Sequence, residues 1–126
     1  MRRLGWAFAA AVLVAGAAQA QDAPKVVSTF PPADSLVPAG GLHIEVTFDR
    51  PMMDQSWSFA TGGEAAFPEV TGGPVRSDDG KTFRLGVKLQ PNSTYVVWFN
   101  NGRYQNFRDE QGHPATPYRL TFKTSE

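Results

Sequence analysis

Two segments of this chain alternate apolar and polar residues with a period of two, and this pattern constrains the fold more than any other feature. The apolar positions are Leu42, Ile44, Val46 and Phe48 in the first segment and Phe83, Leu85, Val87 and Leu89 in the second. Because successive side chains of a strand point to opposite faces, the spacing predicts two strands with one face on a core and the other toward water. No stretch after residue 20 shows apolar residues at helical spacing over the length of a helix. The pattern therefore predicts an all-β fold.

Further strands are predicted between turn signals. All ten prolines and ten of the twelve glycines lie after residue 20, and they divide this region into short segments. β-Branched and aromatic runs predict strands at residues 26–30, 57–59, 94–99 and 118–122. The first should lie at a sheet edge, because Pro31 and Pro32 cannot donate to a central ladder. About seven short strands suit an antiparallel two-sheet β-sandwich better than a closed barrel, although periodicity alone does not separate the two.

The first twenty residues have the pattern of a cleavable signal peptide. Arg2 and Arg3 precede an uncharged apolar stretch from Leu4 to Ala18, and residues 18–20 form an A-x-A site. We predict a signal peptide at 1–20, a short polar tail at 21–25 and one sandwich domain at 26–124. An uncleaved membrane anchor is the alternative, but the apolar stretch is short for a bilayer span. No later apolar run is long enough, so no membrane span is expected after cleavage.

Composition narrows the chemistry of the chain. The sequence has no Cys, which excludes disulfides, thiol nucleophiles and Cys-based metal sites. Twelve basic residues balance twelve acidic ones, so the basic surface typical of nucleic-acid binding is not expected. The sequence indicates no cofactor.

Catalysis would need converging nucleophiles, acids and bases, and the sequence groups none. His43 is on the outward face of a predicted strand, and His113 is in a Gly-Pro turn. The carboxylate pairs at 78–79 and 109–110 stand beside glycines, where Asp caps its own turn. We predict no catalytic residues and no enzyme.

One motif resembles a structural feature of Ig-like and fibronectin type III sandwiches. Leu89, Pro91 and Tyr95 are spaced as in the tyrosine corner, in which the hydroxyl bonds to backbone just upstream. The wider pattern resembles the bacterial SbsA-type Ig-like domain over nearly the whole of 21–126, at 28–34, 46–52, 77–82, 108–114 and 120–124. The resemblance implies an Ig-like fold. It implies no catalytic residues, because members serve mostly as modules of exported and surface proteins.

The start of the mature chain and the sandwich pattern that follows it also show a weaker resemblance to CopC-type periplasmic copper carriers. It implies a copper site built around a His at the mature N-terminus with later His and Asp ligands, whereas Gln21 and Asp22 stand at that end here. Other candidate donors are Met52, Met53 and His113 for copper, and Asp49, Asp54 and Asp109 for calcium. Neighbouring strand residues point to opposite faces, and no acidic loop has EF-hand spacing. We therefore predict no metal site.

Three aromatic residues form the candidate interaction surface: Trp98, Tyr104 and Phe107. Alternatively, Arg119 covers Trp98, and Tyr104 and Phe107 tuck their loop onto the sandwich. Trp57 is expected in the core. These observations predict an exported, non-enzymatic Ig-like domain of the cell envelope, in the periplasm or at or beyond the cell surface, with an unidentified envelope protein or surface polymer as partner. The alternative is a periplasmic copper- or calcium-binding protein of CopC type. The oligomeric state is left open.

Overall fold

The computed structural model describes residues 22–126, and in it the chain forms two four-stranded sheets. The strands are β1 (Val26–Phe30), β2 (Ser35–Val37), β3 (Gly40–Phe48), β4 (Phe59–Ala60), β5 (Glu69–Arg76), β6 (Thr82–Leu89), β7 (Thr94–Phe99) and β8 (Tyr118–Thr124). This range contains strands but no helix, so no helix within it could cross a membrane. The predicted all-β, Ig-like sandwich is confirmed. The predicted signal peptide lies outside the described residues.

The two alternating segments become neighbouring central strands. The first sheet has the order β1-β3-β6-β5, and β3 pairs antiparallel with β6 so that Ile44 is opposite Leu85 and Val46 is opposite Phe83. All four of these side chains are buried. The second sheet has the order β2-β8-β7-β4. Strand β1 lies at a sheet edge, as its prolines predicted.

Two strands were not predicted from the sequence. β2 is only three residues long and pairs parallel with β8, so the sandwich is mixed rather than wholly antiparallel. β5 contains Gly72, Gly73 and Pro74, which are typical of turns, and its pairing with β6 is interrupted by two register shifts. Each of these strands forms because a longer strand beside it, β8 for β2 and β6 for β5, supplies backbone hydrogen-bond partners. A local sequence pattern does not reveal such a neighbour.

The core includes a side chain that comes from a loop. Phe107 follows β7 in the connection at 100–117, yet it is completely buried. Its ring centroid is 5.1 Å from those of Phe48 and Phe59 and 5.3 Å from that of Phe83. The predicted position of Phe107 on an interaction surface is therefore wrong, because its ring fills the space between the sheets. The stated alternative, in which it tucks its loop onto the sandwich, holds for this residue.

Asn100 fastens that loop to the sandwich. It is completely buried and has a φ of 66°, in the left-handed region that Asn tolerates better than most residues. Its Nδ2 donates to the carbonyl oxygens of Phe107 and Ala115, each at 3.0 Å. Its Oδ1 accepts from the backbone N–H of Phe107 at 3.0 Å. One side chain thus satisfies three buried backbone groups of the loop.

Candidate functional site

A groove of about 540 Å³ opens at the edge of the sandwich near β4 and β5, the outer strands of the two sheets. Its lining residues are Trp57, Ser58, Phe59, Ala60, Thr61, Phe67, Val70, Pro74, Leu85, Tyr104 and Asn106. The volume is in the range of small-ligand sites, which are mostly apolar with a few polar groups. We therefore take this groove as the candidate binding site.

Local sequence explains why the sheets leave this edge open. β4 is only two residues long and is followed by Thr61, Gly62 and Gly63, which are residues typical of turns. On the other sheet, β5 is irregular around Gly72 and contains Pro74, which has no N–H to donate. The short β4 and the irregular β5 thus leave aromatic residues between the sheets open to the groove.

The aromatic side chains of the groove are held in place by the core. Trp57 is half-buried rather than a full core residue, and its ring is edge-on to Phe83 with centroids 6.4 Å apart. The Phe59 ring lies edge-on to Phe99 at 5.7 Å and to Phe107 at 5.1 Å. These contacts leave little freedom for the rings to reorient. The groove thus presents fixed apolar surfaces.

Tyr104 and Asn106 bring the 100–117 loop to the groove. Tyr104 is 53% exposed, and the guanidinium of Arg103 lies 5.6 Å from its ring centroid. The backbone N–H of Asn106 donates to Ser58 Oγ at 3.0 Å. The backbone carbonyl of Asn106 accepts a hydrogen bond from the Ser56 hydroxyl. The loop that supplies Phe107 to the core therefore also positions an exposed phenol and an amide beside the groove.

Trp98 lies outside the groove, in a surface cluster with Glu64 and Arg119. Trp98 pairs with Arg119 across β7 and β8. Trp98 Nε1 donates to Glu64 Oε1 at 3.2 Å, and Arg119 Nε donates to Glu64 Oε2 at 2.8 Å. Both hydrogen bonds lower the pKa of Glu64, and the bond from Arg119 makes the larger contribution. Trp98 is thus tied to its neighbours, and of the three predicted surface aromatics Tyr104 alone lines the groove.

The tyrosine-corner residues lie at the turn between β6 and β7. The Tyr95 hydroxyl accepts a hydrogen bond from the backbone N–H of Gln90 at 2.7 Å. Leu89 and Tyr95 are buried, whereas Pro91 is exposed in the turn. The Tyr95 ring stacks on Phe122 with centroids 5.6 Å apart. This back-bond has the geometry that defines a tyrosine corner.

Asp109 is a buried carboxylate that the sequence suggested both as a turn cap and as a candidate calcium donor. Its Oδ1 accepts the backbone N–H groups of Gln111 at 3.0 Å and His113 at 2.9 Å, which confirms the predicted turn cap. Its Oδ2 is 3.1 Å from His113 Nδ1 and 3.4 Å from Arg50. Burial alone would raise the pKa of Asp109, but the bonds from His113 and Gln111 hold it below its usual value.

Arg50 occupies the centre of an acidic cluster beside the first described residues. Its guanidinium contacts the carboxylates of Asp22 at 3.1 Å, Asp49 at 3.0 Å and Asp109 at 3.4 Å. It also donates to the carbonyl oxygens of Asp22 and Ala23. The hydrogen bond to Asp49 is the largest contribution that raises the pKa of Arg50. This cation already balances the carboxylates, so the cluster does not fit a bound metal ion.

The other candidate metal donors are separated or engaged. Met52 is completely buried, whereas Met53 is 36% exposed, so the two side chains lie in different environments. Asp54 Oδ1 accepts the N–H of Gln55 at 2.9 Å. Within residues 22–126, no three His, Cys, Asp or Glu side chains form a group that could hold a metal ion.

Comparison with known proteins adds two findings. Over residues 20–124, the chain matches the family described as bacterial Ig-like domain. Among solved structures it is similar to CopC from Methylosinus trichosporium OB3b, with 17% sequence identity and a TM-score of 0.61. That alignment covers 81% of this chain and 93% of CopC, and at this identity the likeness is one of fold. No curated protein matches the chain at a significant level.

Proposed function

The chain belongs to the bacterial Ig-like domain family, and we propose that it is an exported, non-enzymatic module of the cell envelope that binds an envelope protein or surface polymer through the aromatic groove. The groove is the observation that carries this proposal. Its apolar lining is open to solvent at the sandwich edge, and its rings are fixed by core contacts. Fixed apolar surface supports binding because little conformational freedom is lost when a partner docks.

A non-enzymatic role is supported by the way in which the candidate acids are used. Asp79 accepts the N–H of Lys81 at 3.0 Å, and Asp109 accepts two N–H groups of its own turn. Their carboxylates therefore organise turns. The groove itself is lined by neither carboxylate nor imidazole.

Export is supported by the signal-like pattern of residues 1–20 and by family membership. Expression of the full chain in a bacterial host, followed by fractionation and mass spectrometry of the intact protein, tests this part. We expect a periplasmic or extracellular product that begins at Gln21. A cytoplasmic product that keeps residues 1–20 would contradict it.

Binding is tested with residues 21–126 immobilised and exposed to two envelope fractions, purified surface polymers and solubilised envelope proteins. We expect retention of one fraction and at least a severalfold loss of retention in Tyr104→Ala. Phe30→Ala is the matched control, because Phe30 is 48% exposed but lies on β1, at the opposite edge of its sheet from β5. Equal retention by both variants, or none by the unmodified protein, would refute the groove as the binding face.

Metal binding is the second candidate. Two observations favour it: the fold is similar to that of CopC, and the carboxylate of Asp109 contacts the imidazole of His113. Against it stands Arg50, whose guanidinium contacts the same carboxylate. Calorimetric titration of the mature protein with Cu²⁺ and Ca²⁺ decides the matter. A carrier would bind one ion and lose it in His113→Ala but not in His43→Ala, whereas absence of heat and of any melting shift removes this candidate.

A further inference from the structure

The groove carries no charged side chain, which restricts what it can hold. None of its lining residues is Asp, Glu, Lys, Arg or His. The nearby cation, Arg103, lies over the ring of Tyr104. A charged ligand in the groove would lose water without gaining an opposite charge from the lining, which is costly. The lining therefore favours a neutral ligand.

The groove nevertheless has polar groups without partners inside the protein. The Asn106 side-chain amide and the Tyr104 hydroxyl make no hydrogen bond to any of residues 22–126, whereas the backbone of Asn106 is bonded on both sides. The amide offers two donors and an acceptor, and the phenol offers one of each. A purely aliphatic ligand would strip water from these groups without replacing its bonds. A ligand with hydroxyl groups would replace them.

The edge strands argue against an extended peptide that adds to a sheet. Such a peptide needs a regular row of free N–H and C=O groups. β4 has only two residues, and β5 is interrupted by register shifts and by Pro74. Neither edge offers a ladder of useful length.

We propose that the groove binds a neutral glycan chain, with sugar rings against Trp57 and Tyr104 and sugar hydroxyls bonded to Asn106. This inference rests on the proposed function and names its ligand class. Sugar rings have apolar C–H faces and hydroxyl-bearing edges, which match fixed aromatic rings beside a free amide. Binding needs no change in the sandwich, because Trp57 is already packed edge-on to Phe83.

The test uses residues 21–126 and three oligosaccharides: cellohexaose and hexa-N-acetylchitohexaose, which are neutral, and hexagalacturonate, which is anionic. Calorimetry or NMR titration should detect binding of at least one neutral hexamer. Tyr104→Ala and Asn106→Asp should each weaken it by about tenfold or more. Asn106→Asp is nearly isosteric, so it changes charge and donor capacity with little change in shape. Phe30→Ala should bind as the unmodified protein does.

Two results would overturn the inference. Tighter binding of hexagalacturonate than of either neutral hexamer would refute the argument from charge. Failure of both neutral hexamers to bind, while Tyr104→Ala still weakens retention of an envelope fraction, would refute the glycan but leave the proposed function with a protein partner. If Tyr104→Ala also leaves retention unchanged, the proposed function fails as well.

Discussion

Replacement of Asn100 should destabilise the domain more than most single substitutions. Asn100→Ala removes three hydrogen bonds of 3.0 Å to the backbone of Phe107 and Ala115. The Phe107 carbonyl keeps its bond from the Ala115 N–H, whereas the Phe107 N–H and the Ala115 carbonyl lose their partner. A hydrogen bond contributes about 1 kcal/mol net, and an orphaned buried partner raises the cost toward about 1–3 kcal/mol. Alanine at a φ of 66° adds about 1 kcal/mol. We therefore expect a loss of about 4 kcal/mol, a large part of the stability of a small domain.

The assay is urea unfolding of residues 21–126, followed by tryptophan fluorescence, with equal m-values required for comparison. Asn100→Gly separates the two contributions, because glycine tolerates the left-handed conformation but makes none of the bonds. It should cost about 1 kcal/mol less than Asn100→Ala. Asn101→Ala is the control, since its side chain makes no hydrogen bond to any other residue of 22–126, and it should cost under about 0.5 kcal/mol.

The reasoning is refuted if Asn100→Ala costs less than about 1 kcal/mol, because the loop would then be held by the Phe107 ring alone. A second readout follows from the position of the loop. If Asn100 fastens the segment that carries Tyr104, limited proteolysis should cut Asn100→Ala within 100–117 faster than it cuts the control. If the two variants are cut at the same rate, Asn100 is not the residue that holds this loop on the sandwich.

Two further predictions concern the tyrosine corner and the buried carboxylate. Tyr95→Phe deprives the Gln90 N–H of its 2.7 Å acceptor but keeps the ring, so it should cost about 1–2 kcal/mol in urea unfolding, and a loss under about 0.5 kcal/mol would contradict the role of the hydroxyl. The folded pKa of Asp109 lies below its unfolded value, so its stabilisation is complete above about pH 4 and is lost as the pH falls through the folded pKa. Asp109→Asn weakens the bonds of this carboxylate but leaves Arg50 paired with Asp22 and Asp49, so it should lower stability at pH 7 by about 1–2 kcal/mol and flatten the loss of stability in acid. Parallel acid curves for the two proteins would contradict this.

Part of the candidate site was within reach of the sequence. A short strand was expected at 57–59, and Tyr104 was singled out as a candidate surface aromatic residue. Trp98 was grouped with Tyr104 because both were expected at the surface, yet Glu64 ties it to a separate place. The groove itself was not predictable, because its walls come from the edge strands of two different sheets, β4 and β5, and from a loop later in the chain.

The sequence by itself determined the all-β class, the central strands and the turn cap of Asp109. These features depend on the period of apolar residues and on the local chemistry of Asp, which act within about ten residues. Only the tertiary structure decided that Phe107 is in the core, that Arg50 balances the Asp109 carboxylate, and that β4 and β5 leave a groove open. Those outcomes depend on which strands become edges and on which distant groups then meet, and a local pattern carries no information about either.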